Sequence, residues 1–363
     1  MKKIVLLSIC ILALFISIYT ITTIWMKDNN QHVEIKRDRQ SPIIDKKEKL
    51  DIIILKFAHY FPESHPQHIA LVEKFVPIVE EGSNWKIRVE VYPNNQLGGE
   101  KEYIQGVRNG TIEMGLGGQS ITEILPSMKV IEFPYIFDSY DQAKAILNGE
   151  VGDKITKGID ALGMHSLAWS LNGFRQISTY EKFKTDHGQT DKLKLATIFS
   201  KPNIDTLKVM GFDVLPLDMN EMSIVLKQQV IDGHDNPPLL SYYNGWNEKQ
   251  KEITITNHII SPAMYMISSK FWDTLSEEYK ELIWKASRES ADYEIELLKE
   301  VEKEIFNTLK DKGVEIVYPK LDAYKDAVYP LYEGWIANNS EIKSIFDEVL
   351  NEKMKIREKL KKQ

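Results

Sequence analysis

Between residues 211 and 237 apolar and polar positions change period in a set order: strand, loop, helix, strand, turn. Gly211 closes a helical pattern, 213–217 predicts a short strand, Asn220 is a candidate N-cap, and 221–229 predicts a compact amphipathic helix. Val230 and Ile231 then predict a return to strand before the Asp232-Gly233 turn. A helix starting just past a strand's carboxyl end turns its N-terminal amides and positive dipole end into the crevice beside the sheet, where ligands are received. Residues 86–118 repeat the order. Ile87, Val89 and Val91 alternate with Lys86, Arg88 and Glu90; a loop spans 93–99; a helix is expected over 100–108 and a strand over 111–116, after the Asn109-Gly110 turn. Two copies predict two lobes with a small-molecule cleft between them. The same order occurs in many α/β proteins, so the pattern alone does not establish binding.

The remaining periodicity predicts a strand over 52–57, a helix over 67–81 kinked at Pro77, and a short helix over 120–125 stopped by Pro126. An apolar, proline-containing segment (130–137) follows, then helices over 141–147 and 151–162 and strands over 165–170 and 193–199. A helix over 203–210 leads into the stretch above, an aromatic-rich segment covers 239–246, and strands are expected over 252–258 and 263–268. Residues 276–312 run without proline or glycine and hold helical spacing. Unbroken, that helix reaches about 55 Å, longer than one lobe, so it is expected to brace both. Gly313 caps it, a strand follows over 314–318, and Ser340 is expected to cap a C-terminal amphipathic helix.

Composition narrows the function. A chain of 363 residues has room for two domains. A net charge of -7 and the lack of a basic, aromatic-interleaved patch exclude nucleic acid as an expected partner. Cys10 is the one cysteine and lies in an N-terminal apolar run, so disulfides, zinc ribbons and cysteine nucleophiles are not expected beyond it. That run, residues 4–25, carries no charge, follows Lys2 and Lys3, and has the length that spans a bilayer. It is read as an uncleaved signal anchor in preference to a removed signal peptide, with 26–50 as a polar linker and the rest exported.

Candidate chemistry is sparse. His59, His65 and His68 with Glu63 lack the i, i+4 spacing of a helical zinc pair and are interrupted by Pro62 and Pro66, so they read as loop histidines and no metal is expected. Arg175 follows a strand and is introduced by Gly173, which suits a guanidinium reaching into a cleft to grip a carboxylate bidentately; a surface ion pair is the plainer reading. No Gly-x-Ser-x-Gly elbow, phosphate-binding glycine loop or paired cleft carboxylates occur, so neither an enzyme nor a cofactor is expected.

Eight segments stand out: LKFAHYFPESHP (55–66), VYPNNQLGGE (91–100), NGTIEMGLGG (109–118), FPYIF (133–137), NGFRQIST (172–179), VIDGHDNP (230–237), TNHI (256–259) and SKFWDTLS (269–276). Together they resemble the solute-binding proteins of tripartite ATP-independent periplasmic (TRAP) transporters. The resemblance covers about residues 52–335 in the family's order and spacing. It implies an α/β, two-lobed periplasmic-binding-protein-like fold (type II) with a long helix spanning both lobes. Lobe I would be 51–172 plus 262–301, lobe II 173–261 plus 302–335, and 336–363 a C-terminal helix. It further implies an extracytoplasmic receptor that captures a small organic acid and delivers it to TRAP membrane permease subunits. Arg175 matches an arginine that holds the ligand carboxylate, and Asn236 an asparagine bonding the same group. Gln119 and Glu100 stand where polar or acidic side chains face the ligand, and Tyr60 completes the set. Two positions depart from the family. Its chief arginine clamp is replaced by Ala196, and Met219 stands where an aromatic residue is common. Losing that clamp removes about 1.5–3 kcal/mol of charged hydrogen bonding, so either Arg175 alone holds an acid or the ligand is not a simple monocarboxylate, with a neutral ligand or a non-transporting protein as further readings. A membrane-tethered sensor passing its bound state to a signalling partner is the alternative reading.

Overall fold

The computed structural model describes residues 52–182, 192–337 and 339–361. Its strands are β1 (Ile53–Ala58), β2 (Ile87–Tyr92), β3 (Met114–Gly117), β4 (Met164–Phe174), β5 (Gln176–Thr179), β6 (Lys194–Thr197), β7 (Asp213–Pro216), β8 (Gly233–Asn236), β9 (Glu252–Thr254), β10 (Ile260–Ser268) and β11 (Glu315–Val317). They form two sheets, ordered β2-β1-β3-β10-β4 and β11-β9-β5-β8-β6-β7. In the first, β1 runs parallel to β2 and β3 while β10 is antiparallel to β3 and β4. All of β10 is buried, which is why it reads as a continuous apolar run: both faces of the sheet are covered. Phe57 meets Phe75 edge-on at 5.2 Å and Tyr265 at 5.8 Å, locking β1, the first helical segment and β10 into one core. In the second sheet β6 is parallel to β7 and β8, whereas β5 is antiparallel to β8 and β9.

The two sheets share connecting strands. β4 ends at Phe174 and β5 begins at Gln176, so Arg175 alone separates them. The return path runs from β9 to β10 beside it, where Arg175 N donates to Ile259 O at 2.8 Å. Gln176 ties the two paths: its side-chain oxygen accepts from Thr256 N (2.9 Å) and Asn257 N (3.0 Å). The Glu277–Asp311 helix packs on β4 and the segment 66–82 at one end and on β11 and the Pro238–Tyr243 helix farther along, so it reaches both sheets. Ser276 caps it, accepting from Tyr279 N, and Ile283, Ala286, Ile295 and Leu298 recur on its buried face.

Several expectations are corrected. The helix expected over 67–81 begins at Pro66 and widens into a π-turn over Leu71–Phe75, which ends two residues before Pro77, whose missing amide cannot close a regular turn. The expected 151–162 helix ends at Ile155; Gly158 turns left-handed and a 3-10 turn, Asp160–Leu162, follows. The third strand starts at Met114, not at 111. The Met219–Gln228 helix is capped by Asp218, not Asn220: Asp218 accepts from Glu221 N (2.8 Å) while the Glu221 carboxylate accepts from Asp218 N (3.2 Å), a reciprocal capping box. Val230 is exposed and precedes the strand, which begins at Gly233. The Asp322–Ile336 helix was not anticipated, because Pro330 interrupts its pattern. In the last helix Asn339 caps Ile342 N at 3.0 Å, one residue before the expected cap. The apolar run 4–25 and the linker 26–50 lie outside the described residues.

Candidate functional site

The β4–β5 handover places a guanidinium at the boundary between the sheets. Arg175 is 1% exposed, and its partners follow from register: Gln176 pairs with Asn236 across β5 and β8, which brings Asp235 and Asn236 alongside. Arg175 Nε donates to Asp235 Oδ2 at 2.9 Å and Nη2 donates to Asp235 Oδ1 at 3.2 Å, to the Asp235 carbonyl, and to Asn236 Oδ1 at 3.1 Å. His258, from the return path, places Nε2 3.3 Å from Asp235 Oδ2 and Nδ1 2.7 Å from Thr256 Oγ1. Burial alone would raise the Asp235 pKa, but the Arg175 charge and the His258 contact outweigh it and hold the carboxyl down to about 2. Burial lowers the His258 pKa, opposed by Asp235. The cation at the boundary is therefore already partnered by a carboxylate from the second sheet.

The first sheet supplies the facing groups. Tyr60, in the loop after β1, stacks on Phe61 at 4.0 Å, and its hydroxyl lies so close to Gly118 that a Cβ there would collide with it. Glu100 opens the Glu100–Asn109 helix and accepts from Gly118 N and Ser120 Oγ, each at 2.6 Å, so its carboxylate fixes the turn that carries Gln119. Burial raises the Glu100 pKa against these donors. Burial and then Glu100 push the Tyr60 hydroxyl well above its ordinary value, with Arg175 acting in the opposite direction. Tyr60 thus lies within the electrostatic reach of both the Glu100 carboxylate and the Arg175 guanidinium.

Of the expected site residues, Arg175 bonds Asn236, and Tyr60 feels the charges of both Glu100 and Arg175. Gln119 begins a 3-10 turn and Met219 begins a helix, but their side chains lie outside the described set. Ala196 is fully buried on β6 in an apolar cluster with Met222, Leu226 and Trp246. No second guanidinium stands there. Asp235 and His258 escaped the sequence reading; an acid directly before Asn236 in VIDGHDNP was the available signal. Among the loop histidines, His65 caps a helix through Nδ1 (3.2 Å from Gln67 N) and His59 Nε2 meets His68 Nδ1 at 3.1 Å. Among the described residues no group of three or more His, Cys, Asp or Glu could hold a metal. Two open grooves, of about 660 and 410 Å³, lie elsewhere, against the C-terminal helix and beside Trp246; neither is lined by these residues.

The sequence profile described as bacterial extracellular solute-binding protein, family 7, matches residues 57–339. The chain belongs to that family. This solute-binding protein is 37% identical over 276 residues to an uncharacterized protein of Haemophilus influenzae, covering 75% of this chain and 83% of that one. It is 28% identical over 277 residues to the 2,3-diketo-L-gulonate-binding periplasmic protein YiaO of Escherichia coli, covering 76% and 84%. A TRAP periplasmic solute-binding protein of H. influenzae, solved with bound L-gulonate, superposes with a TM-score of 0.77 at 33% identity, covering 83% of this chain and 99% of that one. The fold is therefore the two-lobed, type II periplasmic-binding-protein-like fold of TRAP solute-binding proteins, and the family is one of receptors, not enzymes. Family membership places the protein outside the cytoplasm.

Proposed function

We propose that this solute-binding protein captures a sugar acid or similar small polyhydroxy carboxylate between its lobes and hands it to a TRAP permease. The observation that carries this reading is Arg175 bonded to Asn236 at the sheet boundary, within electrostatic reach of Tyr60. The relatives named for 2,3-diketo-L-gulonate and solved with L-gulonate support the ligand class. The lobes are taken as 51–172 plus 262–301 and 173–261 plus 302–335, with Gln119 and Met219 on the cleft. Ala196 leaves the carboxylate with one guanidinium where two would grip more tightly, so ligand hydroxyls must supply the rest of the affinity through neutral hydrogen bonds of about 0.5–1.5 kcal/mol each. Tethering through residues 4–25 belongs to the same proposal; among the described residues no helix is long and apolar enough to cross a membrane.

Thermal melting tests this directly. L-gulonate should raise the midpoint in proportion to ln(1 + [L]/Kd), succinate should do so weakly, and a neutral polyol should leave it unchanged. A polyol response equal to that of L-gulonate would remove the carboxylate from the account.

A further inference from the structure

Asn236 commits its whole amide. Its oxygen accepts from Arg175 Nη2 at 3.1 Å, which fixes the orientation, and the amide nitrogen then lies 3.1 Å from Met222 Sδ and 3.4 Å from His234 Nδ1. An amide nitrogen only donates, so Nδ1 of His234 must present its lone pair and the ring proton sits on Nε2. The Gln250 amide nitrogen stands 2.5 Å from that Nε2 and its oxygen accepts from Asn247 Nδ2, but a neutral ring cannot accept at both nitrogens; turning the Gln250 and Asn247 amides end for end lets the Gln250 oxygen take the ring proton and gives the otherwise unpartnered Asn247 Oδ1 a donor. The ring is fully buried, meets Trp246 edge-on at 5.6 Å, and stands in register with Ala196 on the neighbouring strand. Adjacent residues of paired strands share a face, so a bare methyl at 196 leaves the imidazole its room. Burial lowers the His234 pKa to about 3 against the Asp235 charge, so the ring stays neutral.

Resting on the function proposed above, we infer that His234 is a positioning residue of the binding site: its Nδ1 holds one amide hydrogen of Asn236, so the planar amide stays fixed and its other hydrogen meets the ligand when the flexible Met222 side chain moves off it. The two contacts differ in kind. A thioether sulfur is a weak acceptor, and an N–H resting on it gains by exchanging for a ligand oxygen. A ring nitrogen lone pair is a full acceptor, and keeping it holds the Asn236 oxygen on Arg175 while the exchange occurs. Without His234 both hydrogens lose their fixed reference, and the amide can rotate its oxygen toward the ligand carboxylate, a repulsive arrangement.

The test compares His234→Asn with His234→Gln in the full chain, titrated with L-gulonate. Asparagine can set its oxygen where Nδ1 lies; glutamine fills the ring's volume better and can reach Gln250, but places its polar atoms where Nε2 lies. We expect H234N to bind within about threefold of wild type and H234Q to bind about tenfold more weakly, at similar melting midpoints without ligand. Equal or tighter binding by H234Q would reduce His234 to a volume filler and overturn the inference. Ring nitrogen NMR of the wild type decides independently: a protonated Nε2 with a bare Nδ1 supports it, and a protonated Nδ1 overturns it even if both variants fail to fold. If wild type ignores L-gulonate, the proposed ligand class fails, while the ring measurement still judges this inference.

Discussion

The Arg175 guanidinium meets the Asp235 carboxylate at 2.9 Å with both side chains almost wholly buried, so the cation of the candidate site is charge-balanced before any ligand arrives. A ligand carboxylate therefore joins an existing network of Asp235, Asn236 and His258. Removing one partner strands the other. Asp235→Asn is expected to cost about 3–5 kcal/mol, read as a lower urea midpoint at neutral pH. A loss under 1 kcal/mol would mean that the pair is solvated.

The same carboxyl sets an acid limit. Its folded pKa, held down to about 2 from an ordinary 3.8, lies below the unfolded value. Its stabilisation is thus present above pH 3.8 and is lost as pH falls through that window toward 2. Wild type should lose stability there while D235N, already without it, changes less; parallel curves would contradict the assignment.

Glu302 acts with the opposite sign. Burial pushes its carboxyl from 4.5 up to about 7, only partly offset by the hydrogen bond from Tyr140, whose oxygen in turn accepts from Phe174 N at 3.2 Å beside the passage from one sheet to the other. The folded protein then holds a proton that the unfolded chain has released, so stability falls as pH rises from 4.5 to 7. Glu302→Gln should flatten that slope in denaturant titrations; an unchanged slope would place the titrating group elsewhere.

Gly173 sits in the crossing strand at φ +112°, and a Cβ there would come within 3.3 Å of Pro237 Cβ and 3.4 Å of the Tyr140 hydroxyl. Gly173→Ala should cost about 1–3 kcal/mol, with backbone strain the larger part. An equilibrium unfolding change below 0.5 kcal/mol would show that the crossing adapts freely.

Ala196 offers a further check. It is fully buried among Met222, Leu226 and Trp246, so Ala196→Arg overfills a closed cluster and buries a charge. A melting point lowered by several degrees is expected, with about 1–3 kcal/mol from packing alone. A fully stable variant that binds acids more tightly would show that the space is open to the cleft.

Much of this was legible in the chain, for reasons that differ by residue. The Glu277–Asp311 helix announced itself through unbroken periodicity and a serine cap, and the first strand-loop-helix unit was visible because its strand alternates apolar and polar residues. Arg175 was marked by its place after a glycine at a strand end. Its clamp was hidden, since Asp235 and His258 reach it only through the β5–β8 register and a return path over 80 residues later, which local pattern does not encode. Asn220 was mistaken for a cap because both it and Asp218 are good ones; Glu221, three residues after Asp218, was the discriminating signal. Pro330 concealed a helix whose stability comes from packing on the Lys201–Val209 helix.

A crystal structure with L-gulonate bound tests the central claim most directly. The account predicts the ligand between the lobes, its carboxylate about 3 Å from the Arg175 guanidinium and accepting from the Asn236 amide nitrogen in place of Met222 Sδ. A ligand seated in either outer groove, or one in the cleft whose carboxylate points away from Arg175, would contradict it.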